Sequence, residues 1–216
     1  MMTLLRSFFV LTTFLFLSCN SSNEISKPNI VLFMVDDLGW QDTSVSFWKN
    51  ETKFNRLYNT PNMEILANMG VKFTNAYATP VCSPSRISLM TGMNAAKHRV
   101  TNWTLNPNKK KPAEINHKIF EFPDWNYNGL STLDSISNTI YATPLPQILK
   151  DNGYYTIHAG KAHLGAIGYP SSNPLNIGFD INIAGHAAGA PQSYLGVDNF
   201  GNNNSKNKIT LNAKLR

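Results

Sequence analysis

Apolar runs alternate along this chain with short capped, amphipathic segments. Ile30-Val31-Leu32-Phe33-Met34-Val35 is continuous, apolar and rich in β-branched residues. That pattern predicts a strand buried on both faces of a parallel sheet. Thr60 to Gly70 predicts a helix: Thr60 stands at the cap, Pro61 suits the first turn, and Gly70 ends it. Met63, Leu66, Ala67 and Gly70 mark its expected buried face. Val71 to Tyr77 alternates as a strand does, and leads through Thr79-Pro80 to a turn at Cys82. Ile87-Ser88-Leu89-Met90-Thr91-Gly92 reads as the first turns of a helix that the glycine stops. Thr143 to Gly153 predicts a second capped helix, Tyr154 to Ala159 a second buried strand, and Phe179 to His186 a third strand end. Trp40 to Tyr58 reads as irregular, and Asn106 to Asn138, with many Asn, Pro and Lys residues, as an insertion loop. Repeated strand and helix units with right-handed crossovers predict an α/β protein, an α/β/α sandwich.

The first residues have a different pattern. Arg6 precedes an apolar stretch from Ser7 to Leu17, about the length of a signal-peptide core and short for a membrane span. Phe16-Leu17-Ser18-Cys19 looks like a bacterial lipobox. Residues 1–18 are expected to be a signal peptide and 19–27 a polar tether, with the folded part of the chain in 28–216. Cys19 is then a lipidation site, or else a chance cysteine after a plain secretory signal. Both readings place the protein outside the cytoplasm, in the periplasm or at the cell surface, touching membrane only through a lipid anchor.

Composition narrows the class. The 216 residues are 42% hydrophobic and 15% charged, which fits a globular domain rather than a disordered chain. The formal net charge of +6 favours anionic partners. Part of the excess is local, around Lys97, Arg99 and Lys109 to Lys111. No zinc-finger spacing or RNA-binding signature accompanies it, so nucleic acid is not an expected partner. Cys19 and Cys82 are the two cysteines.

Three short motifs fall at expected strand ends, where open α/β sheets form their ligand crevices. Asp36-Asp37-Leu38-Gly39 follows the first apolar run. Two adjacent carboxylates there suit a hard divalent cation, or else form a solvated loop or a helix N-cap. Cys82-Ser83-Pro84-Ser85-Arg86 opens a helix. A cysteine in the positive end of the helix dipole, with an arginine one turn on, attracts anions; an ordinary turn with a buried thiol is the plainer reading. Gly160-Lys161-Ala162-His163-Leu164-Gly165 follows the second strand, as anion-binding residues or as a surface pair. His186 lies among small residues after the third strand end, lining a pocket or sitting in a loop. His98 reads as structural.

Taken together, these motifs resemble the N-terminal part of the type I sulfatase family, from about Pro28 to about Tyr194. The resemblance implies an alkaline-phosphatase-like fold, apparently truncated at the C-terminus. It also implies hydrolysis of sulfate esters, with carbohydrate or aryl sulfates as substrates. Cys82 would be oxidised to Cα-formylglycine by a formylglycine-generating maturation enzyme and supported by Arg86. Asp36 and Asp37, together with residue 82, would hold Ca2+ (or Mg2+). Lys161 and His163 would hold the sulfate ester; the resemblance gives His186 no role, and it stays a pocket-lining, substrate-binding candidate or a loop histidine. The family completes its cation site later in the chain; Asp198-Asn199 follows no strand and is read as a loop.

The aldehyde hydrate explains why a cysteine is modified at all. On that resemblance, one of its hydroxyls would attack sulfur and displace the alcohol, and the other, once deprotonated, would expel sulfate and restore the aldehyde, whereas a thiol would keep its adduct. Two other functions fit the same residues: a phosphonate or phosphate monoester hydrolase of the same superfamily, and an inactive, surface-anchored binder of anionic glycans.

Overall fold

The computed structural model describes residues 26–109, 118–121 and 123–190. The expected signal peptide, Cys19, Lys110 and Lys111, and Asp198-Asn199 lie outside the described residues. Among the described residues no helix is long and apolar enough to cross a membrane. The chain divides into two units, Met1–Val35 and Asp36–Arg216.

In the first unit, Ile30 to Val35 belongs to no strand, and its side chains are exposed, with Val31 at 88% and Phe33 at 86%. The expected doubly buried strand is therefore absent. A strand of that kind needs neighbours on both edges and cover on both faces, and an apolar run by itself supplies neither.

The second unit contains the helices α1 (Pro61–Met69), α2 (Cys82–Thr91), α3 (Ala95–His98) and α4 (Leu145–Asp151). Its strands are β1 (Leu130–Ser131), β2 (Ile140–Tyr141), β3 (Ile157–Ala159) and β4 (Ile181–Ile183). β1 pairs with β2 and β3 with β4, both parallel. β1 falls inside the stretch expected to be an insertion loop. Residues 40–58 are irregular apart from a 3-10 turn, Asn55–Leu57.

α2 forms as its sequence dictates. Val81 is in extended conformation at the cap. Pro84 falls among the first residues, whose N–H groups have no partner inside the helix. Gly92 closes the helix in the left-handed region at φ 68°, and its N–H donates to the Ser88 carbonyl at 2.8 Å.

Ile87 of α2 belongs to the core, with Val100, Leu130, Ala162, Leu164 and Ile177; Met90, Ile140, Ala142 and Phe179 pack against it. Burying a Leu or Ile side chain contributes about 1.5–3 kcal/mol, so this core firmly couples α2 to the segment after β3. His98 is fully buried and shares a 2.9 Å hydrogen bond with Ser88, the structural role expected of it.

Other expectations are corrected. α1 starts and stops where predicted, yet none of its residues is buried, and Leu66 and Met69 are exposed. Thr60 makes no cap bond; its hydroxyl is engaged with Ser44, at 3.0 Å from the Ser44 N–H and 2.8 Å from its hydroxyl. Val71 to Tyr77 forms no strand, and Val71, Phe73 and Tyr77 stand exposed. β3 is shorter than predicted, and Ile157 and Ala159 on it are exposed. Each of these stretches has apolar residues spaced for one face, but no packed surface covers that face among the described residues.

Candidate active site

Three segments converge within the second unit. The turn after Val35 presents Asp36 and Asp37, with Asp37 in the left-handed region at φ 54°. Cys82 is half-buried at the first position of α2. Ligand atoms of Asp36, Asp37 and Cys82 all lie within 4.8 Å of one another. Backbone N–H groups without intrahelical partners at the helix N-terminus leave positive potential around Cys82, which the two carboxylates face.

How Cys82 is held depends on Ser85, to which its place in the motif alone assigns no role. The Ser85 hydroxyl lies 3.0 Å from the Thr79 N–H and 2.6 Å from the Thr79 hydroxyl. It also donates to the Val81 carbonyl at 3.3 Å. Ser85 thus ties the approach segment onto the first turn of α2. The signal for it was a small hydroxyl directly after Pro84, one turn on from Val81.

Arg86 is nearly buried, at 7% exposure. Its Nη2 meets Asp36 Oδ1 at 3.1 Å, and its Nη1 donates to the Lys161 carbonyl at 2.6 Å. Lys161 Nζ in turn meets Asp36 Oδ2 at 2.6 Å. Burial pushes the Asp36 carboxyl up, but hydrogen bonds from Lys161 and Arg86, reinforced by their charges, outweigh it and hold the group below its ordinary value.

The segment carrying Lys161 is set by glycine and by burial. Gly160 turns at φ 93°, and its N–H donates to the Ile183 carbonyl at 2.8 Å, extending the β3–β4 pairing by one residue. Ala162 and Leu164 are buried in the core, and the Leu130 N–H donates to the Leu164 carbonyl at 2.9 Å. His163 is buried, in the left-handed region at φ 53°, and its N–H donates to the His186 carbonyl at 2.9 Å. The structure therefore joins His163 and His186 through their backbones. Gly189 lies on the His163 imidazole: a Cβ there would fall 2.7 Å from Cε1. Close approach of backbone to ring explains this glycine, whose composition-poor surroundings gave no sequence signal.

His158 on β3 was read only as a strand residue. It packs edge-on against Phe179 with ring centroids 5.1 Å apart. Burial chiefly lowers its pKa, against hydrogen bonds that raise it, and the Arg86 charge adds to the lowering. The His158 imidazole thus stands within electrostatic reach of Arg86.

The donor set of Asp36, Asp37 and residue 82 fits a hard divalent cation. Two carboxylates supply oxygen, and position 82 supplies sulfur as written or oxygen once oxidised.

Similarity to known proteins gives the family of the chain. The Sulfatase family profile matches residues 28–213. The chain is 34% identical to human steryl-sulfatase, over 74% of this chain and 24% of that protein. It is 32% identical to mouse N-acetylgalactosamine-6-sulfatase, over 71% of this chain and 24% of that protein. A solved structure, Ps i-CgsB, covers 73% of this chain and 28% of its own at 30% identity, with a TM-score of 0.46. The chain spans about a quarter of the length of the relatives it matches.

Proposed function

This chain belongs to the sulfatase family, with its alkaline-phosphatase-like α/β fold, and on that premise we propose that it supplies the nucleophile and the first half of the cation site of a sulfuric ester hydrolase. The observation that carries this reading is the meeting of Asp36, Asp37 and Cys82 at the start of α2, with Arg86 and Lys161 both on Asp36.

Cys82 is the precursor of Cα-formylglycine, made by an external formylglycine-generating enzyme. Its place at the helix start sets the hydrated aldehyde where negative charge is favoured. Asp36 and Asp37 would hold Ca2+, with Mg2+ as the alternative. When bound, that cation acidifies the attacking hydroxyl and neutralises sulfate oxygens.

The chain's own residues do the rest. Arg86, fixed by Asp36 and the Lys161 carbonyl, places a permanent charge beside position 82. Lys161 supplies a point charge to the ester. His163 donates to the ester oxygens as charge develops, oriented by Gly189 and by its link to His186. His186 lines the substrate side.

Sulfate esters are the substrate class, on carbohydrate or aryl groups. The net charge of +6 favours such anions electrostatically, and one relative is named as a sulfatase of an amino sugar. We further propose export through residues 1–18 and anchoring through Cys19, which places the protein in the periplasm or at the cell surface.

The test is to co-express the chain with a formylglycine-generating enzyme and analyse the peptide containing Cys82 by mass spectrometry. Conversion to the aldehyde is expected; an unmodified thiol overturns the reading. Comparing aryl sulfate with aryl phosphate hydrolysis by the protein that carries this chain then fixes the ester class, with sulfate expected to be the faster.

A further inference from the structure

Asp36 is the hub of the site, and both of its oxygens are taken by cations of this chain. Arg86 Nη2 holds Oδ1 at 3.1 Å, and Lys161 Nζ holds Oδ2 at 2.6 Å. The two cations are held very differently. The guanidinium is almost fully buried and has a second anchor, the Lys161 carbonyl at 2.6 Å. The Lys161 side chain is largely covered as well, at 16% exposure, but its ammonium ends a flexible four-carbon stem and has Asp36 as its ion-pair partner among the described residues, without the second anchor that Arg86 has. Arg86 is therefore a fixed charge and Lys161 a movable one.

We propose that Lys161 is an internal competitor for the divalent cation: it occupies Asp36 Oδ2 until a cation takes that oxygen, and is thereby released to bind the anionic group of the substrate. The inference rests on the cation-site reading above. Its basis is charge and reach. Asp36 and Asp37 carry two negative charges, and Arg86 and Lys161 carry two positive charges, so the group is neutral as it stands. A divalent ion entering beside Asp37 and residue 82 meets Lys161 at the carboxylate it needs. Paired with Asp36, the same ammonium is also masked from any anion. Freeing it for sulfate and opening Oδ2 for the cation are then one event. Thermodynamic linkage makes the effect mutual, since whatever draws Lys161 off Asp36 strengthens cation binding, and the cation strengthens anion binding.

The experiment is a calorimetric titration of the full chain with Ca2+ alone, comparing the wild type with Lys161→Gln and Lys161→Arg. Removing the competing charge is expected to tighten Ca2+ by about tenfold or more, the size of an ordinary coupling between sites. Lys161→Arg keeps the charge and should bind as the wild type does. Equal or weaker binding by Lys161→Gln overturns the proposal. If both proteins take up Ca2+ equally, the competition alone has failed. If neither does, these donors do not hold the ion by themselves, and the competition is overturned while the conversion of Cys82 remains a separate test of the site. A second measurement uses no variant: acetic anhydride labelling of the wild-type chain, read at Lys161 by mass spectrometry. Labelling should rise several-fold when Ca2+ is added, and unchanged or reduced labelling overturns the proposal.

Discussion

Arg86 reaches across 75 positions of sequence to the backbone of Lys161, its Nη1 donating to the Lys161 carbonyl at 2.6 Å. The same guanidinium holds Asp36 at 3.1 Å. One side chain on α2 thus fixes both the acid that would bind a cation and the backbone of the lysine that would bind an anion. A planar fork can serve two acceptors in two directions, which a single ammonium does poorly.

Arg86→Lys is expected to lose one of these two bonds. A hydrogen bond to a charged group contributes about 1.5–3 kcal/mol, so urea unfolding should show a loss in that range. A change within about 0.5 kcal/mol, the scatter of ordinary surface substitutions, would show that the fork does not tie the segments together.

Gly189→Ala places a methyl group 2.7 Å from His163 Cε1 and 2.9 Å from Nδ1. Either the loop or the imidazole has to move. Overpacking of this kind costs about 1–3 kcal/mol. Chemical denaturation measures the cost, and the His163 ring resonances should shift with it. Ring signals identical to the wild type would place the glycine elsewhere.

Leu164→Ala tests how the core supports the site. Leu164 is buried beside Ile87 and Leu130, so the truncation should cost about 2–5 kcal/mol. The segment from Lys161 to Gly165 should loosen with it, read as faster amide exchange at Lys161 and His163. Loss of stability with unchanged exchange there would separate the core from the site.

Acid should act through Asp180. The Lys150 ammonium at 2.7 Å, with hydrogen bonds from Thr156, lowers its pKa from 3.8 to about 2. The carboxylate therefore binds its proton less readily in the folded chain than in the unfolded one. Its stabilising effect is fully present above the ordinary value and fades as pH falls from about 4 towards 2. Acid titrations of the wild type and Asp180→Asn should diverge at neutral pH and converge at the acid end. Parallel curves throughout would show that the pair contributes nothing.

Local chemistry was legible wherever neighbours in sequence decide the outcome. The end of α2 at Gly92 follows from glycine's tolerance of the left-handed region, and its start at Cys82 from Pro84 in the first turn, without a side-chain cap at Val81. The ends of α1 follow from Pro61 in its first turn and the break at an extended Gly70, and the left-handed Gly160 makes the turn that delivers Lys161. The acid pair at 36 and 37 was visible as a candidate because adjacent carboxylates are chemically costly without a cation.

Tertiary structure decided what each group touches. Lys161 pairs with Asp36 across 125 positions, and no local rule names that partner, because charge pairing depends on distance in space. Ser85 and Gly189 gained their roles only when Thr79 and His163 arrived beside them. Burial was decided in the same way. Leu66 on α1 and Val31 in the first apolar run have the composition of a core and stand exposed, whereas the small Ala162 is buried. A hydrophobic stripe states only which face is free to be covered; the covering surface comes from elsewhere in the fold.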